Sequence, residues 1–211
     1  MSHQNLVSES VASTLSVELV SYVIGRHARQ GEDNSSDATE NEMELSTRKS
    51  IEGLGLLVGL RLSERLLYRE ATIGGLTPLD VTRFIAQQFW KAAFGKKADR
   101  MKHMDNIYFC LIESNFRWLE GFSKLRTERA ISTVSTYASG VSEGLENSDE
   151  STISPKDRID NSIGHKDVLV YAVGILRGAI QVMYPNGPVK IHANLNNENE
   201  TTFVLDFRSA A

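Results

Sequence analysis

The sequence holds a single cysteine, Cys110, in 211 residues. That excludes an internal disulfide framework and a cysteine zinc site. There is no excess of basic charge: 23 Lys and Arg stand against 27 Asp and Glu, for a net charge of −4. A nucleic-acid binder carries a basic domain or stripe, so this balance argues against one. No apolar run approaches ~18 uninterrupted residues, so no transmembrane helix is expected. Met1-Ser-His-Gln-Asn has neither a basic start nor an apolar stretch, and no signal peptide is expected. His3, His27, His103, His165 and His192 show no i,i+4 pairing and no carboxylate at metal-ligand spacing, which argues against a metal centre.

Catalytic motifs are missing too. Ser46-Thr-Arg-Lys49 formally fits S-x-x-K, but at a helix start Ser46 or Thr47 reads better as an N-cap. Gly53, Gly55 and Gly59 lie inside a helical pattern, not after a strand, so they form no phosphate or dinucleotide loop. Cys110 alternates with Tyr108 and Ile112 and reads as a buried, inert thiol. No nucleophile–base pair or carboxylate dyad emerges. The expectation is a chain with no catalytic residues, no cofactor and no metal.

What is present is helical periodicity. Ile51 to Tyr68 has no proline, and its apolar residues fall in two sets. Ile51, Gly55, Val58, Leu62 and Leu66 share one face, while Gly53, Leu56, Leu60 and Leu67 lie almost opposite, with Leu57 beside them. Such a helix is either buried on both sides or meets a partner with one of them. Leu6 to Ala28 repeats the pattern, with Val11, Leu15, Leu19 and Tyr22 on one stripe and Leu6, Val17, Val20 and Ile24 on the other. Each glycine costs a helix about 1 kcal/mol against alanine, a cost that makes sense where another backbone approaches closely. Gly174-x-x-x-Gly178 in the last helix suggests the same.

Thr77-Pro78-Leu79-Asp80 starts a third helix that Gly95 ends, with Lys96, Lys97, Arg100 and Lys102 as a basic cluster behind it. Asn106–Ile112 and Phe116–Phe122 read as a hairpin turning at Glu113-Ser114-Asn115. His165 begins a strongly apolar helix ended by Tyr184-Pro185-Asn186-Gly187, on which Arg177 is expected to pair with an acidic residue. Val189 to Leu195 and Phe203 to Phe207 alternate as a second hairpin. The acidic stretch from Gly31 and the polar stretch after Ser123 lack the apolar content to order themselves. The expectation is one domain over residues 1–211, with disordered insertions at 31–46 and 123–162. Its class is α+β, four helices on a twisted four-stranded antiparallel sheet.

Five blocks resemble the small subunits of the TRAPP complex (transport protein particle), and among them the subunit-six type most. They are Gly55-x-x-Val58-Gly59-x-Arg61-Leu62-x-Glu64-Arg65-Leu66; Phe84-Ile85 with Phe89-Trp90, Phe94 and Lys96; Ile107-Tyr108; Asn115-Phe116-Arg117 with Leu119; and Gly174-Ile-Leu-Arg177-Gly178. The resemblance implies an α/β plait and a non-catalytic scaffold subunit. It implies a heterodimer with a subunit-three-type sibling through the first two helices, and contacts with other TRAPP subunits. The assembly would activate a Rab GTPase and tether vesicles between endoplasmic reticulum and Golgi. The chain itself would reach the GTPase only indirectly, and would be cytoplasmic, on those membranes only peripherally. The acylated cysteine of a related subunit has no counterpart in Thr72 to Leu76. The expected partner surface is Val11, Leu15, Leu19, Tyr22, Gly53, Leu56, Leu60 and Leu67. The alternative is a small apolar-ligand module lined by Phe84, Phe89, Tyr108 and Trp118.

Overall fold

The computed structural model describes residues 15–27, 40–68, 76–119, 164–185, 187–196 and 200–208. Helix α1 covers residues 15–27, and α2 runs from Glu40 to Leu67. The next segment is α3 (Pro78–Phe84), a π-helical turn (Ile85–Phe89) and α4 (Trp90–Phe94). Strands β1 (Arg100–Met104) and β2 (Tyr108–Ser114) follow, then helical residues at 117–119. Helix α5 (His165–Met183) leads to β3 (Lys190–Leu195) and β4 (Glu200–Asp206). The four strands form one antiparallel sheet in the order β1-β2-β4-β3. This is the α+β class expected, with the third helix divided by its π-helical turn, so that the described residues hold five helices, α1 to α5, besides the helical residues 117–119, where four are expected.

Local chemistry sets several boundaries. Thr77 caps α3 reciprocally: its Oγ1 accepts from Asp80 N–H at 3.2 Å, and Asp80 Oδ2 accepts from Thr77 N–H at 3.1 Å. Pro78 occupies the first turn, where its missing N–H costs nothing. Gly95 ends α4 at φ 87°, in the left-handed region that a Cβ disfavours. Asp167 Oδ2 accepts from Gly164 N–H at 2.9 Å at the start of α5.

Three boundaries differ from the expectation. Helix α2 starts at Glu40, so neither Ser46 nor Thr47 is its N-cap, and residues 40–46 of the acidic stretch are helical. Glu, Met and Leu are good helix formers, and acids near the N-terminus suit the helix dipole. Residues 31–39 and 120–163 lie outside the described residues. The first hairpin is shifted: β1 pairs with β2, and the turn is at Asp105 and Asn106, not at Glu113-Ser114-Asn115. Both turn residues have positive φ (53° and 54°), and Met104 O accepts from Ile107 N–H at 3.4 Å. Positive φ at both central positions is the geometry that matches hairpin twist, and Asp and Asn tolerate it. Phe116 does not begin a strand; Asn115 (φ 55°) ends β2 and the chain turns into helix at 117.

The core lies between the helices and one face of the sheet. Phe109, Leu111, Phe203 and Leu205 point into it from the central strands, and all four are fully buried. Trp90, Phe94, Phe116, Trp118 and Phe203 form a continuous aromatic group with ring centroids 4.7–6.0 Å apart. The tilted and edge-on arrangements are the ones the ring quadrupole favours. Cys110 sits on the opposite face of the sheet, in register with Lys102 and Val204, and is half-exposed rather than buried.

Candidate partner-binding surface

The surface of α2 follows from how it meets α5. Ile51, Gly55, Gly59, Ser63 and Leu67 form the buried line of α2, each four residues from the last. A Cβ built on Gly55 would lie 2.3 Å from Tyr171 O, and one on Gly59 would lie 2.0 Å from Ile175 O. The reverse also holds: Cβ atoms on Gly174 and Gly178 would meet Glu52 O at 2.3 Å and Leu56 O at 2.1 Å. Contact positions rise together along both helices, so α2 and α5 run parallel with their i±4 rows interlocked. The expected backbone approach at these glycines is therefore seen. Gly53 has no neighbouring atom within 4 Å of such a Cβ and faces solvent.

This geometry replaces the two stripes of α2 with one broad buried face. Its centre is glycine and serine, and its two apolar shoulders are what periodicity reads as opposite stripes. Leu62 and Leu66 are half-buried on one shoulder, and Leu56 and Leu60 on the other. Leu67 is 4% exposed and belongs to the chain's own core, which corrects its placement on the partner side. The outward face instead carries Gly53, Leu57, Arg61, Glu64 and Tyr68, with Leu57 59% exposed. Leu57 and Tyr68 are apolar residues of this face that the expected surface omits. The helical projection that sets Leu57 beside Gly53, Leu56 and Leu60 was the available signal.

Helix α1 buries Val17 and Val20 and leaves Leu15 (58%) and Tyr22 (61%) exposed, with Leu19 half-exposed between them. Val11 lies outside the described residues. His27 Nε2 and Ser50 Oγ are 3.0 Å apart, which fixes the end of α1 beside α2 a few residues before Gly53. Ser16 hydrogen-bonds Tyr171 of α5, whose hydroxyl burial pushes up in pKa. Arg177 Nη1 lies 2.6 Å from Glu52 Oε1, the acidic pairing expected of it, across the same α2–α5 contact.

The other charged groups build structure around the sheet. Glu113 is buried on β2; its Oε2 accepts from Trp90 Nε1–H at 3.1 Å and its Oε1 meets Lys96 Nζ at 2.6 Å. Burial pushes the Glu113 carboxyl up, and Lys96 opposes that shift. Asp99 is also partly desolvated, yet hydrogen bonds from Lys96 Nζ and Ser114 N–H hold its carboxyl below the usual range. The basic cluster is thus not one free patch: Lys96 pairs with Asp99 and Glu113, and Arg100 pairs with Glu200. Among the described residues no three His, Cys, Asp or Glu side chains gather at metal-binding distance, and no helix is long and apolar enough to cross a membrane.

The four aromatics of the ligand reading do not come together. Phe89 and Trp118 are buried, and Trp118 stacks on Tyr171 at 5.7 Å. Tyr108 lies under the Arg208 guanidinium on the outer side of the sheet, and Phe84 borders a small open groove with Leu67 and Arg83.

Comparison with known proteins agrees with this architecture. The chain is 32% identical over 119 residues to an uncharacterized protein of Schizosaccharomyces pombe, a match spanning 55% of this chain and 45% of that protein. The chain therefore matches less than half of that relative's length. The family described as transport protein particle (TRAPP) component matches residues 12–208, and the chain belongs to that family.

Proposed function

We propose that this chain is a non-catalytic scaffold subunit of the subunit-six type, which works by pairing with a subunit-three-type sibling. Family membership supports a TRAPP complex subunit with other TRAPP subunits as partners. The pairing surface in this reading is Leu15, Leu19 and Tyr22 of α1 with Gly53, Leu57 and the exposed sides of Leu56 and Leu60 of α2. The observation that carries it is the exposure of large apolar side chains on two neighbouring helices whose other faces are already buried. Clustered exposed apolar groups mark interaction surfaces, and a stable interface buries about 1,600 Å² in all. The subunit-six assignment rests on the five sequence blocks. The complex so completed would hold a Rab-activating centre made by other subunits, peripherally at endoplasmic reticulum and Golgi membranes.

Co-expression with a subunit-three-type sibling tests this reading. Tyr22→Asp and Leu57→Asp should each lose co-purification while the chain's own thermal unfolding stays unchanged, because both side chains face solvent. Normal recovery of the sibling with both variants would remove this surface from the reading.

A further inference from the structure

Away from α1 and α2, an open groove of about 620 Å³ lies where the end of α5 meets β3. One wall is the α5 face Arg177, Ile180, Gln181 and Tyr184, and the other is Pro188 to Ile191. Among the described residues β3 is last in the sheet and pairs with β4 alone, so its outer edge presents N–H and C=O groups that no described strand pairs. A helix face set beside a free strand edge is the arrangement that receives an extended peptide: backbone pairing supplies affinity, and alternate side chains enter the groove. The floor is apolar, with Ile180 and Ile191 at its base.

Charge beside the edge selects the occupant. The groove lining holds Arg177 and no acidic residue, and Lys190, in register with Asp206, projects on the sheet face away from α5, where alternate residues of an added strand would meet it. Lys190 faces Asp206 across the ladder, but Arg208 engages both oxygens of that carboxylate, at 2.8 and 2.6 Å. Lys190 has no ion pair among the described residues, while Arg177 shares its charge with Glu52. We propose that β3 and the adjoining face of α5 bind an extended acidic segment of a partner protein, added as a fifth strand. This site is separate from the helical surface assigned to the sibling subunit.

The test uses the 211-residue chain and a fluorescent, N-acetylated heptapeptide alternating valine with glutamate. Saturable binding is expected, with a lysine-for-glutamate peptide at least tenfold weaker. Lys190→Glu should weaken the acidic peptide about tenfold, and Lys102→Glu, on the opposite edge, should change it less than twofold. Hydrogen exchange of the unmutated chain should slow at residues 190–195 when peptide is added, a readout that needs no variant. Lack of saturable binding, equal loss with both lysine variants, or slowed exchange that spares 190–195 would each overturn the proposal. So would self-association of the chain that Lys190→Glu abolishes, because a second copy would then occupy the edge.

Discussion

Gly59 faces the carbonyl of Ile175 so closely that a methyl group on its Cα would lie 2.0 Å from that oxygen. The obstacle is backbone, not a side chain that could rotate away. The same relation holds from α5 toward α2 at Gly174 and Gly178, so neither helix can retreat without opening the other's contact. Interior glycine is unfavourable in a helix, and here the close pairing of two helix backbones offsets that cost.

A pair of alanine substitutions separates the two kinds of glycine in α2. Gly59→Ala should destabilise the chain by about 3 kcal/mol or more, at or above the usual cost of overpacking, since only a helix shift relieves the clash. Gly53→Ala meets open space in the same helix and should stabilise by up to ~1 kcal/mol through helix propensity. Chemical denaturation of both variants measures the contrast. Equal effects would mean that α2 and α5 do not touch at Gly59.

These glycines also explain how far the sequence could be read. The outline was legible: Thr77-Pro78-Asp80 and Gly95 bracket their helical segment as expected, and the alternation of Val189 to Leu195 locates β3. The face of α2 was not legible, because glycine and serine at the centre of a buried face leave a gap in a hydrophobicity pattern. Its shoulders, Leu62 and Leu66 against Leu56 and Leu60, then look like two stripes. Strand β1 escaped for the opposite reason: at a sheet edge only Met101 of its five residues is even half-buried, so there is no alternation to read. Phe116 and Trp118 imitate strand alternation although they belong to a turn and a helical start.

Glu113 should give the stability a distinctive pH dependence. Its folded pKa lies above the ordinary 4.5 because burial penalises the charge. The fold therefore favours the protonated form: the contribution is fully present below 4.5 and is lost as pH rises through the folded pKa. In Glu113→Gln that dependence should vanish, so the stability difference from the unmutated chain should change between pH 4.5 and 7. The amide oxygen can still accept from Trp90 Nε1–H, whereas Glu113→Leu leaves that buried donor unpaired, at about 1–3 kcal/mol. Urea midpoints at several pH values report both effects. Parallel curves for Glu113→Gln and the unmutated chain would contradict the assignment.

Asp206 should titrate far from Glu113. Its hydrogen bonds from Arg208 hold the carboxyl down to about 2, from an ordinary 3.8. With a depressed pKa the contribution is present above 3.8 and fades as pH falls through 2, and the solvent exposure of its partner Arg208 keeps it small. Arg208→Ala should return the carboxyl toward 3.8, as followed by carboxyl carbon chemical shifts. A value still near 2 would assign the shift to Lys190, the other cation beside it.

Leu57 and Leu67 should separate assembly from folding. Both lie in α2, but Leu67 is buried in the chain's own core while Leu57 points outward. Leu67→Ala should destabilise the isolated chain by about 2–5 kcal/mol, the range for a buried leucine that leaves a cavity. Leu57→Ala should stay within about 0.5 kcal/mol, as surface changes do, yet weaken capture of the sibling subunit. Denaturation of the isolated chain and titration with the sibling give the two readouts independently. If Leu57→Ala is silent in both, the partner lies on another face, while the buried position of Leu67 stands on its own measurement.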